Sequence, residues 1–263
     1  MKNRPGERQM QSANLSVTAN ANISEANIPE NDRLNLGCGP NAPAGWINVD
    51  GSWNAWFSHH PRLRGGLRQL GIINASNQGA QWNVRPVVHD LRKPLPFPEN
   101  AFSAIYASHV LEHLYRVEAD ALLAECKRVL KPGGTLRLVV PDLHFLVLDY
   151  LNGRNGQSTA KTRWVAADTL NQKLGFRSVC PPGGNVLFRF YALWKDFHSH
   201  KWMYDADSLS HALENAGFEP VAQKGFHCSE IPGIEEVEDS GRVLDGVGVC
   251  IEGQKRSGSR SRV

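Results

Sequence analysis

Between residues 33 and 254, short apolar runs alternate with loops marked by glycine and proline and with one longer stretch of helical spacing. Runs of β character are expected near residues 33–37, 46–50, 86–90, 102–107 and 135–140, with two more near 219–226 and 247–252. Ahead of the fifth run, Ala121, Leu122, Leu123, Cys126, Val129 and Leu130 recur at helical spacing, with Glu125, Lys127 and Arg128 mostly on the other face. That spacing predicts a helix, and Lys131-Pro132-Gly133-Gly134 stops it. Pro94-Leu95-Pro96-Phe97-Pro98-Glu99-Asn100 can be neither helix nor central strand. Strand, helix and strand in this order imply an α/β fold whose sheet is covered on both faces.

The first two runs carry the sharpest chemical signal. Leu34-Asn35-Leu36-Gly37-Cys38-Gly39-Pro40-Asn41 reads as a strand entering a glycine turn, and Trp46-Ile47-Asn48-Val49-Asp50 as a second strand ending in a carboxylate. Glycine admits positive φ and lets a ligand approach bare main-chain N–H groups. A carboxylate at the end of the next strand can accept both hydroxyls of a ribose. The pair describes a nucleoside-binding cleft at the carboxyl edge of a parallel sheet. A G-x-G-x-x-G dinucleotide turn is absent, which argues against a nicotinamide oxidoreductase.

Composition narrows the classes. The net charge is +3 over 263 residues, but Lys255, Arg256, Arg260 and Arg262 lie in the last nine, and without them the remainder is −1. The body is therefore not a basic surface, and no nucleic-acid partner is expected. Five scattered cysteines show neither paired spacing nor a metal pattern, which fits a reducing cytoplasm. The apolar stretch from Leu136 to Leu151 is broken by Arg137, Asp142, His144 and Asp149, so no membrane span is expected. The first thirty residues, rich in Asn, Ser and Ala, have no apolar run of secretory type.

The expected organisation is a disordered arm over 1–32, one domain over 33–254 and a basic disordered tail over 255–263. Two insertions, at about 51–85 and 152–201, follow strand ends, where they would lie over the cleft as lid or acceptor-site elements. The first holds Trp53, Trp56 and Trp82 and a basic helix-like piece around Arg62 to Leu70. The second holds Arg163-Trp164, a Cys180-to-Gly184 turn and aromatics from Phe188 to Phe197.

Taken in register, LNLGCG, HDLRKPLPFPENAF, SHVLEHL and ECKRVLKPGGTLRLVVPD resemble the class I S-adenosylmethionine-dependent methyltransferases, in particular the type 11 group. The likeness covers roughly Arg33 to Leu143 and continues more weakly from Lys201 to Phe218. That later stretch, with the Trp46-to-Asp50 element, looks like a bacterial branch associated with surface polysaccharide pathways. The resemblance implies a Rossmann-like sandwich with a seven-stranded, mostly parallel sheet, and S-adenosyl-L-methionine as cofactor. It implies that Gly37, Cys38 and Gly39 line the methionine and ribose, that Asp50 takes the ribose diol, and that Asp90 with Leu91 lies beside the adenine. Ser108 and His109 would face the methionine part.

Two departures stand out. Asn35 and Asn41 occupy places where the family carries an acid and a third glycine. Only Pro40 to Gly45 separate the turn from the next strand, too few for a helical crossover, so the first helix is expected to shrink to about a turn.

Methyl transfer from a sulfonium chiefly requires alignment and exclusion of water, and an oxygen or nitrogen acceptor can also require a general base. His200 is the first candidate, then His198, with Asp142 and His144 at the end of the fifth strand. Asp142 can equally cap a following helix. Ser108 to Leu114 leads into a helix, on which His109 and His113, four apart, could share one face, but no motif places a third ligand, so no metal is expected. The expected activity is O-methylation of a saccharide or glycan-linked group. The alternatives are methylation of a small natural product or quinone-type precursor, or a non-catalytic module partnering a glycan-synthesis enzyme.

Overall fold

A computed structural model describes residues 31–40, 42–69, 82–155, 160–176, 199–241, 243 and 247–257. Residues 1–30 of the stretch expected as an arm over 1–32, Asn41, much of both insertions, His198 and residues 258–263 lie outside the described residues, whereas Asp32 is tied down by Lys131 at 2.7 Å and by the Ser103 N–H. Seven strands form one sheet: β1 (Arg33–Leu36), β2 (Ile47–Asp50), β3 (Val87–Val88), β4 (Phe102–Ser108), β5 (Leu130–Pro141), β6 (Val221–Lys224) and β7 (Gly248–Gln254). Their order is β3-β2-β1-β4-β5-β7-β6. The pairings β2–β3, β1–β2, β1–β4 and β4–β5 are parallel, and β7 runs antiparallel to both β5 and β6. The α/β class and the mostly parallel sheet follow from this topology.

The two edge strands are shorter than their apolar runs. Pro86 precedes β3 and Pro220 precedes β6, and a proline has no N–H to extend a ladder. In the middle of the sheet, Lys131 to Gly134 loop out between two registers of β4 and β5, and Gly133 adopts φ 82°.

Helices α1 (Trp53–Ser58) and α2 (Pro61–Gln69) lie in the first insertion; α3 (Arg116–Val129), α4 (Leu143–Asn155), α5 (Ala160–Lys173) and α6 (Ala206–Asn215) follow. On α3 the buried stripe is Ala119, Leu122, Leu123, Cys126 and Val129, while Ala121 is exposed and Leu130 already belongs to β5. The opposite face pins the proline-rich loop: Glu125 accepts the Leu95 N–H at 2.7 Å, and Arg128 donates to the carbonyls of Phe97 and Leu95 at 2.8 and 3.0 Å. These bonds satisfy a backbone that cannot join a sheet.

No helix is described between β1 and β2. Asn83, from the first insertion, bonds both backbone groups of Ala42, at 3.0 and 2.9 Å, and its own N–H donates to the Pro40 carbonyl at 3.2 Å. One face of the sheet packs on α3 and α6 through Leu34, Leu36, Ile105, Leu136, Leu138 and Ile251. The other face, with Ala104, Tyr106, Val139 and Cys250, is covered by Trp46, Ile231, Ile234, Val237 and Val243, with a 3-10 turn at Ile234–Glu236.

That second face also buries an ion cluster. The Arg137 guanidinium, fully buried on β5, donates in a fork to Glu238 at 2.8 Å twice, to Glu252 at 3.0 Å, and to the carbonyls of Cys228 and Gly225 at 3.1 and 2.9 Å. Burial pulls its pKa down, yet the hydrogen bonds and charge of Glu238 outweigh this and hold it above the usual value. All five donor positions are used, which is the condition for a buried arginine to be tolerated.

At the chain's end, Lys255, expected in the tail, continues the ladder. Its carbonyl accepts from Gly133 at 2.7 Å and its ammonium reaches Asn100 at 2.9 Å and the Leu130 carbonyl at 2.8 Å. Among the described residues, no helix is long and apolar enough to cross a membrane.

Cys38, Cys126 and Cys250 are buried and Cys228 is exposed. Burial pushes the Cys126 thiol up to about 12 and the Cys250 thiol up to about 11. Because the thiolate is the reactive form, brief maleimide treatment of the folded protein at neutral pH should label Cys228 and spare these three. Peptide mass mapping checks this; modification of Cys126 ahead of Cys228 would contradict the packing.

Candidate active site

The chain runs outward from β1 to β2 and β3, then crosses back to β4 on the other side of β1. The carboxyl ends of β1 and β4 therefore flank a topological switch point, where open α/β sheets bind ligands. The glycine turn leaves β1 there, and Ser108 and His109 leave β4.

Gly37 and Gly39 take φ 65° and 64°, a region that disfavours other residues. At Gly37 a Cβ would also sit 2.5 Å from Val110 Cγ2, so the missing side chain lets the turn press against the segment after β4. Cys38 is buried, and its N–H donates back to the Val49 carbonyl at 3.1 Å. Asp50, 8% exposed at the end of β2, is aimed at this turn: one carboxylate oxygen accepts the Gly39 N–H at 3.1 Å and the other the Ser52 N–H at 2.7 Å. Each oxygen keeps a second lone pair for a hydroxyl donor.

Asn35 turns away from this turn. It is fully buried and donates to Asn48 at 2.9 Å, while Asn48 donates to the carbonyls of Pro43 and Trp46 at 2.8 and 2.9 Å. The amide pair ties the first two strands to the short connection between them.

Asp90 lies two residues past β3, and its carboxylate is already forked by Arg92, with Nε to Oδ1 at 2.9 Å and Nη2 to Oδ2 at 2.8 Å. Those bonds, and next to them the charge of Arg92, hold its pKa below the usual carboxylate value. An adenine amine would have to share it. Leu91 beside it is buried in the main core.

At the end of β4, Ser108 is buried and His109 takes φ 55° with its N–H on the Val139 carbonyl at 3.0 Å. Left-handed backbone at His109 ends the strand, and a 3-10 turn over Leu111–His113 follows in place of an α-helix. His109 and His113 therefore do not share a helix face. What joins them is Glu112, fully buried: its Oε1 is 3.0 Å from His109 Nδ1 and 3.9 Å from His113 Nε2.

His200 is brought to the same place. The N–H groups of Lys201 and Trp202 both donate to the Glu112 carbonyl, at 2.6 and 3.3 Å, and the His200 ring lies 5.0 Å from that of His113. Asp142 and His144 form a separate part of the edge. The His144 N–H donates to the Asp142 carboxylate at 2.9 Å, so Asp142 caps α4, and Tyr204 bridges to it. The sequence contained Glu112 and His113 within the SHVLEHL string, but nothing in their spacing shows His200 arriving from 87 residues downstream of His113.

Comparison with known proteins bears on this part of the chain. Residues 34–138 match the family model described as a methyltransferase domain. Over 104 residues the chain is 35% identical to a sterol 24-C-methyltransferase of Gibberella zeae, which is 38% of this chain and 25% of that relative. Its overall shape is similar to a Thermotoga maritima S-adenosylmethionine-dependent methyltransferase described as a possible histamine N-methyltransferase, at 18% identity and TM-score 0.39, covering 87% of this chain and 84% of that one. It is also similar to a Haemonchus contortus phosphoethanolamine N-methyltransferase in complex with S-adenosyl-L-methionine, at 13% identity and TM-score 0.39, covering 85% and 48%. The chain spans about a quarter of the length of the sterol enzyme it matches. The stretch that matches the methyltransferase-domain model, residues 34–138, contains the glycine turn, Asp50, Asp90, Ser108 and Glu112.

Proposed function

We propose that the protein is an S-adenosyl-L-methionine-dependent methyltransferase, acting on a hydroxyl of a saccharide or glycan-linked acceptor. The observation that carries the cofactor reading is Asp50, whose carboxylate is held against the Gly39 N–H at the switch point. The site fits the cofactor: a diol-accepting acid, a turn of positive-φ glycines and a polar strand end surround one edge. Gly37, Cys38 and Gly39 would offer main-chain groups, Asp50 would hold the ribose, and Asp90 with Leu91 would border the adenine. Ser108 and His109 would meet the methionine part. When bound, S-adenosyl-L-methionine supplies an activated methyl group; the chain's own residues position the acceptor and exclude water.

Support for an oxygen acceptor comes from the groups at the strand ends. His200, His198, Asp142 and His144 are the base candidates for such a hydroxyl; His198 lies outside the described residues. The saccharide assignment draws on the resemblance at Trp46 to Asp50 and Lys201 to Phe218. The likeness to the sterol enzyme covers 38% of this chain and leaves the acceptor open.

Calorimetry with S-adenosyl-L-methionine, followed by incubation with methyl-labelled cofactor and glycan and small-molecule extracts of the source organism, tests the proposal. Label in a glycan fraction supports it, and label only in small molecules moves the acceptor to the natural-product class. No binding at millimolar cofactor would favour a non-catalytic module.

A further inference from the structure

We propose that Glu112, His113 and His200 form a binding site for a single divalent transition-metal ion, with Zn²⁺ as the best match. The inference goes beyond methyl transfer, and its test does not depend on that activity. One donor atom from each residue lies within 4.8 Å of the other two. The Glu112 side chain is fully buried, and its Oε2 has no hydrogen-bond partner among the described residues. His200 Nδ1 is likewise buried without a partner. A carboxylate oxygen left bare inside a protein is costly unless a cation or proton meets it.

The tautomer of His113 sharpens the case. Its Nδ1 lies 3.3 Å from the Ser199 carbonyl, which can only accept, so Nδ1 carries the hydrogen. His113 Nε2 lies 3.9 Å from Glu112 Oε1, a separation that one ion can bridge. The bond from His113 to a backbone carbonyl and that from His109 Nδ1 to Glu112 Oε1 at 3.0 Å are the outer contacts that orient metal-binding groups.

The scaffold is built on both sides. Two amides of the 201–202 segment clamp the Glu112 carbonyl, and Gly175 stands behind His200, where a Cβ would lie 2.7 Å from the ring. Two imidazoles and a carboxylate suit Zn²⁺ with an open fourth position, and also other late first-row ions. Mg²⁺ and Ca²⁺, which prefer all-oxygen ligands, do not suit the set. Donor atoms up to 4.8 Å apart must close by rotation of the imidazoles before one ion meets all three. Such an ion would cross-link the turn after β4 to the 199–204 segment, and it would withdraw His200 from the base role.

The test uses the full chain after chelator treatment and dialysis. Titration with Zn²⁺ should give one ion per chain and raise Tm, and Co²⁺ should give visible d–d absorption of a nitrogen- and oxygen-ligated site. His200→Ala and His113→Ala should each weaken Zn²⁺ binding about 100-fold, while His211→Ala, on α6, should leave it unchanged; loss of even one outer contact typically costs 10–100-fold. Circular dichroism and the metal-free Tm establish that each variant is folded. Absence of stoichiometric binding by the wild type, or equal Zn²⁺ affinity in the folded His113 and His200 variants, overturns the proposal. Neither readout depends on S-adenosyl-L-methionine.

Discussion

Arg137→Met should cost about 3–5 kcal/mol of stability, the largest effect of any single substitution discussed for this fold. The physical reason is what stays behind. Glu238 and Glu252 are 0% and 3% exposed, and without the guanidinium they are two buried acids facing each other's field. For a chain of this size the loss corresponds to a drop in Tm of roughly 10 °C. The measurement is a urea or thermal melt of the wild type, the single variant, and the triple variant Arg137→Met, Glu238→Gln, Glu252→Gln. Removing the acids with the arginine should recover part of the loss, because no unpaired charge then remains buried. A single variant that melts with the wild type would show that the cluster is not closed as described.

Asp50→Ala should raise the Kd for S-adenosyl-L-methionine about 100-fold. Two hydrogen bonds from ribose hydroxyls to a carboxylate contribute about 1.5–3 kcal/mol each, and tenfold in Kd is about 1.4 kcal/mol. The same carboxylate holds the Gly39 and Ser52 amides, so the variant also loosens the turn. Asp50→Asn separates the two effects: one amide oxygen still accepts from the backbone, so Tm should fall less than in Asp50→Ala while cofactor affinity remains poor. Calorimetry and thermal melts on both variants check this. Unchanged affinity in a folded Asp50→Ala protein removes Asp50 from the ribose.

Much of the architecture was legible in one dimension because its causes are local. Phe102 to Ser108 and Thr135 to Val140 are β-rich runs bounded by glycine and proline, and the α3 stripe recurs at helical spacing. The six residues between the glycine turn and β2 were visibly too few for a crossover helix. Ranges failed at the edges, where Pro86 and Pro220 shorten strands, and at His109, whose left-handed backbone turns an expected helix start into a 3-10 turn. Proline was in plain view; the effect of tertiary contact on His109 was not.

For the site, local pattern and tertiary placement divide cleanly. The glycine turn and the acid closing the next strand lie within one short stretch, so spacing alone put Asp50 beside Gly39. Asp90 belonged to the same pattern, but its pairing with Arg92 depends on a side-chain conformation that spacing does not contain.

By itself the sequence determined a mostly parallel α/β sheet with a glycine turn beside a strand-end acid, because hydrophobic period, turn residues and strand-end acids act over a few residues. Only the tertiary structure decided that Arg137 would find Glu238 and Glu252, and that Glu112 and His113 would meet His200. Those groups are separated by 87 to 115 positions along the chain, and their energies exist only after the backbone has closed the distance.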